Sequence, residues 1–196
     1  MGNEITSALR PALVLTILFA LLLGLAYPLA LTGIGQVVFP AQANGSLLRD
    51  GNKLVGSALI GQTFASDRYF QGRPSAAGKG YDGLASSGSN LGPSAQALVD
   101  RIKPDIAKAR SQGATGALPA DLVTASASGL DPDISPASAQ LQVARVARAR
   151  GLPDAQLRAL VIAATQYPLL GFLGEERVNV LALNRQLDRI GANTVK

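Results

Sequence analysis

PALVLTILFALLLGLAYPLAL, residues 11–31, is an uninterrupted apolar run, and no charged side chain occurs between Arg10 and Arg49. A helix of about 20 residues spans roughly 30 Å, the thickness of bilayer hydrocarbon, so this run is long enough to cross a membrane. A cleaved signal peptide is the rival reading, with Ala41-Gln42-Ala43 as its processing site. The run is longer than such peptides require, and the site lies too far beyond it, so a retained anchor is favoured. Arg10 and the amino terminus are the basic groups on one side, and the next comes only at Arg49, which places the N-terminus inside and the rest outside the cytoplasm. Gly24 admits a neighbouring helix backbone and is the expected packing position of the span, while Pro28 introduces a bend.

The expected organisation is therefore a short cytoplasmic N-terminus (1–10), a membrane helix (11–31), a connector (32–48) and one extracytoplasmic domain (49–196). Only Arg10 and Glu4 precede residue 49, so the net charge of +5 resides in that domain. Its first half is rich in Gly and Ser. Lys53–Phe64 reads as a strand pair or strand and turn, and 71–93 as loop that is functional, held by a partner, or mobile. The second half has helical spacing. Ser94 is the expected cap of a helix carrying Leu98, Val99, Ile102 and Ile106, with Pro104 bending or restarting it. Ser135-Pro136 starts another helix that Gly151 ends, Asp154 caps a third, and Val180, Leu183, Leu187 and Ile190 stripe the last. These four helices supply most of the expected core, and short strands ahead of amphipathic helices give an α+β domain.

The chain contains no His and no Cys. Ser-His-Asp chemistry, His-ligated zinc, thiol nucleophiles and iron-sulfur clusters are excluded at once. No S-x-x-K and no Walker-type phosphate loop occurs, which leaves a Ser-Lys hydrolase without a motif. Asp131 and Asp133 sit two apart beside several hydroxyls. They fit oxygen ligands for a hard cation, without the full calcium-loop pattern, or the rigid Asp-Pro turn ahead of the helix at Ser135. Arg145, Arg148 and Arg150 read as a solvated helix face, with lipid or partner contact as the alternative. Arg73 and Lys79 are isolated loop charges. Of Tyr69 and Phe70, which point to opposite faces of an extended chain, one belongs to the core. Nucleic-acid binding is not expected, since aromatic residues are few and the domain lies outside.

GSALIGQTF (56–64), YFQGRPSA (69–76), SGSNLGPS (87–94), LVTASASGLDPDISPASAQLQVARVARARGL (122–152) and GEERVNVLALNRQLD (174–188) follow one N-terminal span in this order. Together they resemble the C subunit of the bacterial Kdp potassium-transporting ATPase over essentially the whole chain. The resemblance implies a non-catalytic subunit of a four-subunit inner-membrane pump for high-affinity potassium uptake. In that pump a channel-like A subunit takes potassium, a P-type B subunit hydrolyses ATP, and a small F subunit stabilises the assembly. It further implies a catalytic chaperone that promotes ATP binding by the B subunit. ATP would be shared with that subunit and no cofactor or metal bound tightly. Gln142 matches the glutamine of the implied nucleotide contact, and Ser126 and Ser128 match its serines. An outward domain places Gln142 about 30 Å of hydrocarbon away from a cytoplasmic ATP site, so direct contact and the expected topology conflict. A free-standing anchored binding domain or Ser-Lys hydrolase is the alternative reading.

Overall fold

A computed structural model of the chain describes residues 2–193. It forms two compact units, Met1–Leu47 and Leu48–Lys196. The first is helical: α1 (Gly2–Leu21), a π-helical turn (Leu22–Ala26), α2 (Tyr27–Val38) and a single turn, α3 (Pro40–Ala43). Among the described residues, Thr6–Val38 is the one helical run long and apolar enough to cross a membrane. It extends well past Leu31, because Thr32, Gly33 and the apolar residues to Val38 lack a charge that would end it. The π turn has a local cause. Pro28 has no N–H for the carbonyl of Gly24, and its ring crowds that carbonyl, so the turn widens and Tyr27 N–H donates to Leu22 O instead.

The second unit is α+β, as expected. A hairpin pairs β1 (Leu47–Asp50) with β2 (Lys53–Ser57). The hairpin thus begins earlier than Lys53, and residues 58–64 are not its second strand. Helix α4 (Gln96–Ser111) and a 3₁₀ turn (Ala120–Leu122) follow. Next come β3 (Asp133–Ile134), α5 (Pro136–Arg150), α6 (Asp154–Ala164), β4 (Thr165–Gln166), β5 (Arg177–Asn179) and α7 (Val180–Asn193). The last three strands form an antiparallel sheet in the order β3-β5-β4, with Ile134 opposite Val178 and Thr165 opposite Val178 on its other side.

The core is made by α5, α6, α7 and β5. Ala139, Val143, Val146 and Ala147 recur at helical spacing on the buried face of α5. They meet Leu157 and Val161 of α6, Val178 of β5, and Leu183 and Leu187 of α7. Ser135 caps α5 through its hydroxyl, which accepts from Ser138 N–H at 3.0 Å, and Gly151 ends it in the left-handed conformation. Phe70 is the core member of its pair, fully buried, and half-buried Tyr69 stacks beneath the Arg150 guanidinium at 4.7 Å.

Several expectations are corrected. Helix α4 contributes no buried residue, since its apolar positions are outnumbered by Lys, Arg, Asp and Gln. Ser94 does not cap it; the helix starts after extended Ala95 without a side-chain cap, and runs through Pro104. Asp154 is the first helical residue rather than the cap, favourably placed at the positive end of the helix dipole. Arg145 and Arg150 do not form a solvated face: their side chains are 8% and 5% exposed.

Candidate functional site

Residues 61–90 contain no helix or strand, and the second unit fixes them with side chains. Two amides clasp consecutive residues. Asn184 of α7 accepts from Phe70 N–H and donates to Phe70 O, both at 2.9 Å. Gln142 of α5 accepts from Gln71 N–H at 2.7 Å and donates to Gln71 O at 3.0 Å. Each amide acts as a strand partner would, satisfying one residue's main-chain donor and acceptor. Arg145 completes the clasp by donating to Gln142 Oε1 at 2.7 Å and to Tyr69 O at 3.1 Å. Burial lowers the pKa of Arg145, partly opposed by Asp67.

Further along, Arg73 bonds Asp131 at 2.9 Å and donates to Thr124 O at 3.4 Å. Ser75 Oγ donates to Gly129 O at 2.6 Å and accepts from Tyr81 N–H at 2.7 Å. Tyr81 donates its hydroxyl proton to Arg73 O at 2.8 Å. Burial first, and Asp131 second, push the Tyr81 pKa up to about 12 against the pull of Arg73. The stretch read as loop is thus tied down by its own chain, and Arg73 has specific partners.

Two clefts flank this arrangement. One, of about 420 Å³, is lined by Gln62, Gly72, Arg73, Tyr81, Lys108 and Gln142 among others. The other, of about 580 Å³, collects Asp121, Asp131, Asp133, Glu175 and Glu176 with Arg73 and Arg177. Its carboxylates are largely engaged. Asp121 accepts from Ser135 N–H, the Ser135 hydroxyl and the Ser138 hydroxyl at 2.7–3.0 Å. Asp131 Oδ1 accepts from Asp133 N–H at 3.0 Å, the Asp-Pro turn expected from sequence. Asp133 accepts from Asn179 at 3.1 Å and meets Arg177 at 3.2 Å. Burial raises the Asp133 pKa, the Asn179 bond opposing it. Among the described residues no group of three or more Asp or Glu is arranged to hold a metal ion.

The residues singled out in sequence are therefore dispersed. Ser126 and Ser128 form a turn in which their hydroxyls accept from Gly129 and Leu130 N–H, and neither lines the cleft that Gln142 lines. Asp131 and Asp133 share the second cleft. Gly24 lies in the π turn with open space where a side chain would project. Asn184, Asp121 and Tyr81 were missed. Asn184 alone carried a signal, being a polar residue beside Leu183 on the apolar stripe of the last helix.

The family described as "K+-transporting ATPase, c chain" matches residues 9–189. Among similar proteins, the potassium-transporting ATPase KdpC subunit of Caulobacter vibrioides (strain NA1000 / CB15N) is 63% identical over 183 residues, 93% of each chain. That of Variovorax paradoxus is 58% identical, covering 95% of this chain and 98% of its own. That of Bradyrhizobium diazoefficiens is 53% identical, covering 94% and 98%. A match running through both the apolar helix and the α+β unit, at more than half identity, places the chain in the C-subunit family of potassium-transporting ATPases.

Proposed function

We propose that this chain is the non-catalytic accessory subunit of a high-affinity, ATP-driven potassium uptake complex of the bacterial inner membrane. It works beside a channel-like A subunit, an ATP-hydrolysing P-type B subunit and a small F subunit. Its span crosses the lipid with the N-terminus cytoplasmic, Gly24 packing against a neighbouring helix, and the α+β unit outside. It stabilises the assembly and promotes ATP binding by the B subunit, which shares the ATP, and itself binds no cofactor tightly. Ser126, Ser128 and Gln142 hold the domain's fold and touch no nucleotide, while Asp131 and Asp133 face the ion entrance or a subunit there.

Membership of the complex rests on the family match, and the indirect route to ATP binding rests on the clasp at Gln142. Its carbonyl already accepts two hydrogen bonds and its amide donates one, all within the domain, and it is 7% exposed. A nucleotide could reach it only by displacing bonds that fix Gln71. Promotion of ATP binding is then a coupling free energy passed through the assembly, which needs no shared contact.

Two measurements test the proposal. A reporter fused after Lys196 should be active only in the form that works outside the cytoplasm; activity of a cytoplasm-only reporter would sink the topology. Gln142→Ala should leave the complex's KM for ATP and its potassium dependence unchanged while lowering the melting temperature of the chain. A rise in KM for ATP of about fivefold, the size of one lost hydrogen bond, with melting unchanged, would overturn the purely structural role of Gln142.

A further inference from the structure

Between β4 and β5 the chain makes a hairpin tip, Tyr167–Leu173, whose five large side chains point into solvent. Tyr167, Leu169, Leu170, Phe172 and Leu173 are 65%, 70%, 75%, 72% and 52% exposed. The tip is built, not frayed. Leu169 and Leu173 exchange both main-chain hydrogen bonds, at 3.2 and 3.0 Å, and Leu170 adopts φ 57° in the left-handed region. A leucine there is strained, and such strain persists where the surroundings impose it. The exposed apolar surface is on the order of 500 Å², as large as the largest patch on a typical monomer.

Charge selects what covers it. Glu175 and Glu176 follow the tip, are exposed, and take part in no ion pair among the described residues. The adjoining cation, Arg177, is already bonded to Asp133 and Gln166. Interfacial segments that bind anionic lipid typically carry Lys or Arg beside their apolar side chains. This one carries the opposite sign. Self-association through a two-fold axis would bring the acidic edge of one copy against that of the other.

We propose that the Tyr167–Leu173 tip is a docking wedge for another subunit of the same ATPase, which receives it in an apolar recess bordered by Lys or Arg facing Glu175 and Glu176. The assignment rests on the reading of this chain as a subunit of that complex. Phe172 and Leu170 are the anchors, and the acidic pair fixes orientation.

The test uses the full chain in the complex purified through the ATP-hydrolysing subunit. With Phe172→p-benzoylphenylalanine, irradiation should give an adduct to another ATPase subunit. Leu170→Asn together with Phe172→Ser should lower the amount of this chain retained about tenfold. Its melting temperature should hold, since Asn tolerates the left-handed conformation and both side chains are exposed. Glu175→Lys with Glu176→Lys should lower retention about threefold. Adducts to lipid alone, adducts to a second copy of this chain, no adduct, or full retention of the double variant would each overturn the wedge while leaving the functional reading standing. Failure of the wild-type chain to copurify with the ATPase would sink that reading and the wedge with it.

Discussion

Residues 61–90 and helix α4 invert the usual relation between regularity and integration. The first has no helix or strand yet buries Gly61, Phe70 and Ala77; the second is a regular sixteen-residue helix that buries nothing. The irregular segment is held by bonds from α5, α7 and the 124–131 stretch to its main chain. Helix α4 is held chiefly at its edges, by Arg101 donating to Val123 O and Lys108 to Gln71 Oε1. Main-chain groups in a loop must be satisfied by something, and here side chains do what a sheet would otherwise do. Local stability should follow those bonds and not the helical geometry.

The largest effect should come from glycine. At Gly129, φ is +66°, and an added Cβ would lie 2.6 Å from Ala77 N and 2.7 Å from Ser87 O, both backbone atoms. The Gly129→Ala change combines left-handed strain with overpacking that neither neighbour can relieve, about 3 kcal/mol together. Gly113, just after α4, also has positive φ at +96°, but nothing lies within 4 Å of the added carbon. Gly113→Ala should therefore cost only the strain, about 1–2 kcal/mol. Denaturant unfolding of the full chain in detergent measures both, and equal losses would break the contrast between the segments.

An intermediate effect is expected at alkaline pH. Tyr81 ionises near 10 in the unfolded chain and near 12 in the fold. The folded state thus holds its proton more tightly, so the stability it contributes is present below pH 10 and is lost as pH rises through 12. Tyr81→Phe should be less stable at neutral pH by about 1 kcal/mol for the lost bond to Arg73 O. Its stability should also fall less steeply than wild type between pH 10 and 12. Parallel profiles would show that Tyr81 is not held against ionisation by the 61–90 segment.

The helical core was legible in the sequence because its signals are periodic. Leu157 and Val161, or Leu183 and Leu187, recur at i and i+4, and Ser135-Pro136 and Gly151 mark the ends of α5 by chemistry that acts within one turn. The clasp was not legible. Gln142 meets Gln71, and Asn184 meets Phe70, across 71 and 114 residues, and no local pattern encodes which amide reaches which main chain. The same distance hides the partners of Arg145 and Arg150, whose spacing alone looks like a solvated face. Helix α4 misled in the other direction, since its apolar spacing is real but lies on a helix that the core does not use.

The smallest effect is expected at one of two serines that look alike in sequence. Both Ser94 and Ser135 precede a helical segment, and both are good capping residues by type. Ser135 Oγ accepts from Ser138 N–H at 3.0 Å and donates to Asp121 at 3.0 Å, tying the start of α5 to the 3₁₀ turn. Ser135→Ala should cost about 1–2 kcal/mol, because it frees a helix N–H and one acceptor site of Asp121. Ser94 is exposed and makes no cap bond to α4, whose entry is set by the extended backbone of Ala95. Ser94→Ala should change unfolding by less than about 0.5 kcal/mol, the ordinary range for a surface substitution that removes no specific contact. A loss near 1 kcal/mol at Ser94 would mean that α4 is anchored at its start after all, and that its helical geometry contributes stability that its lack of burial conceals.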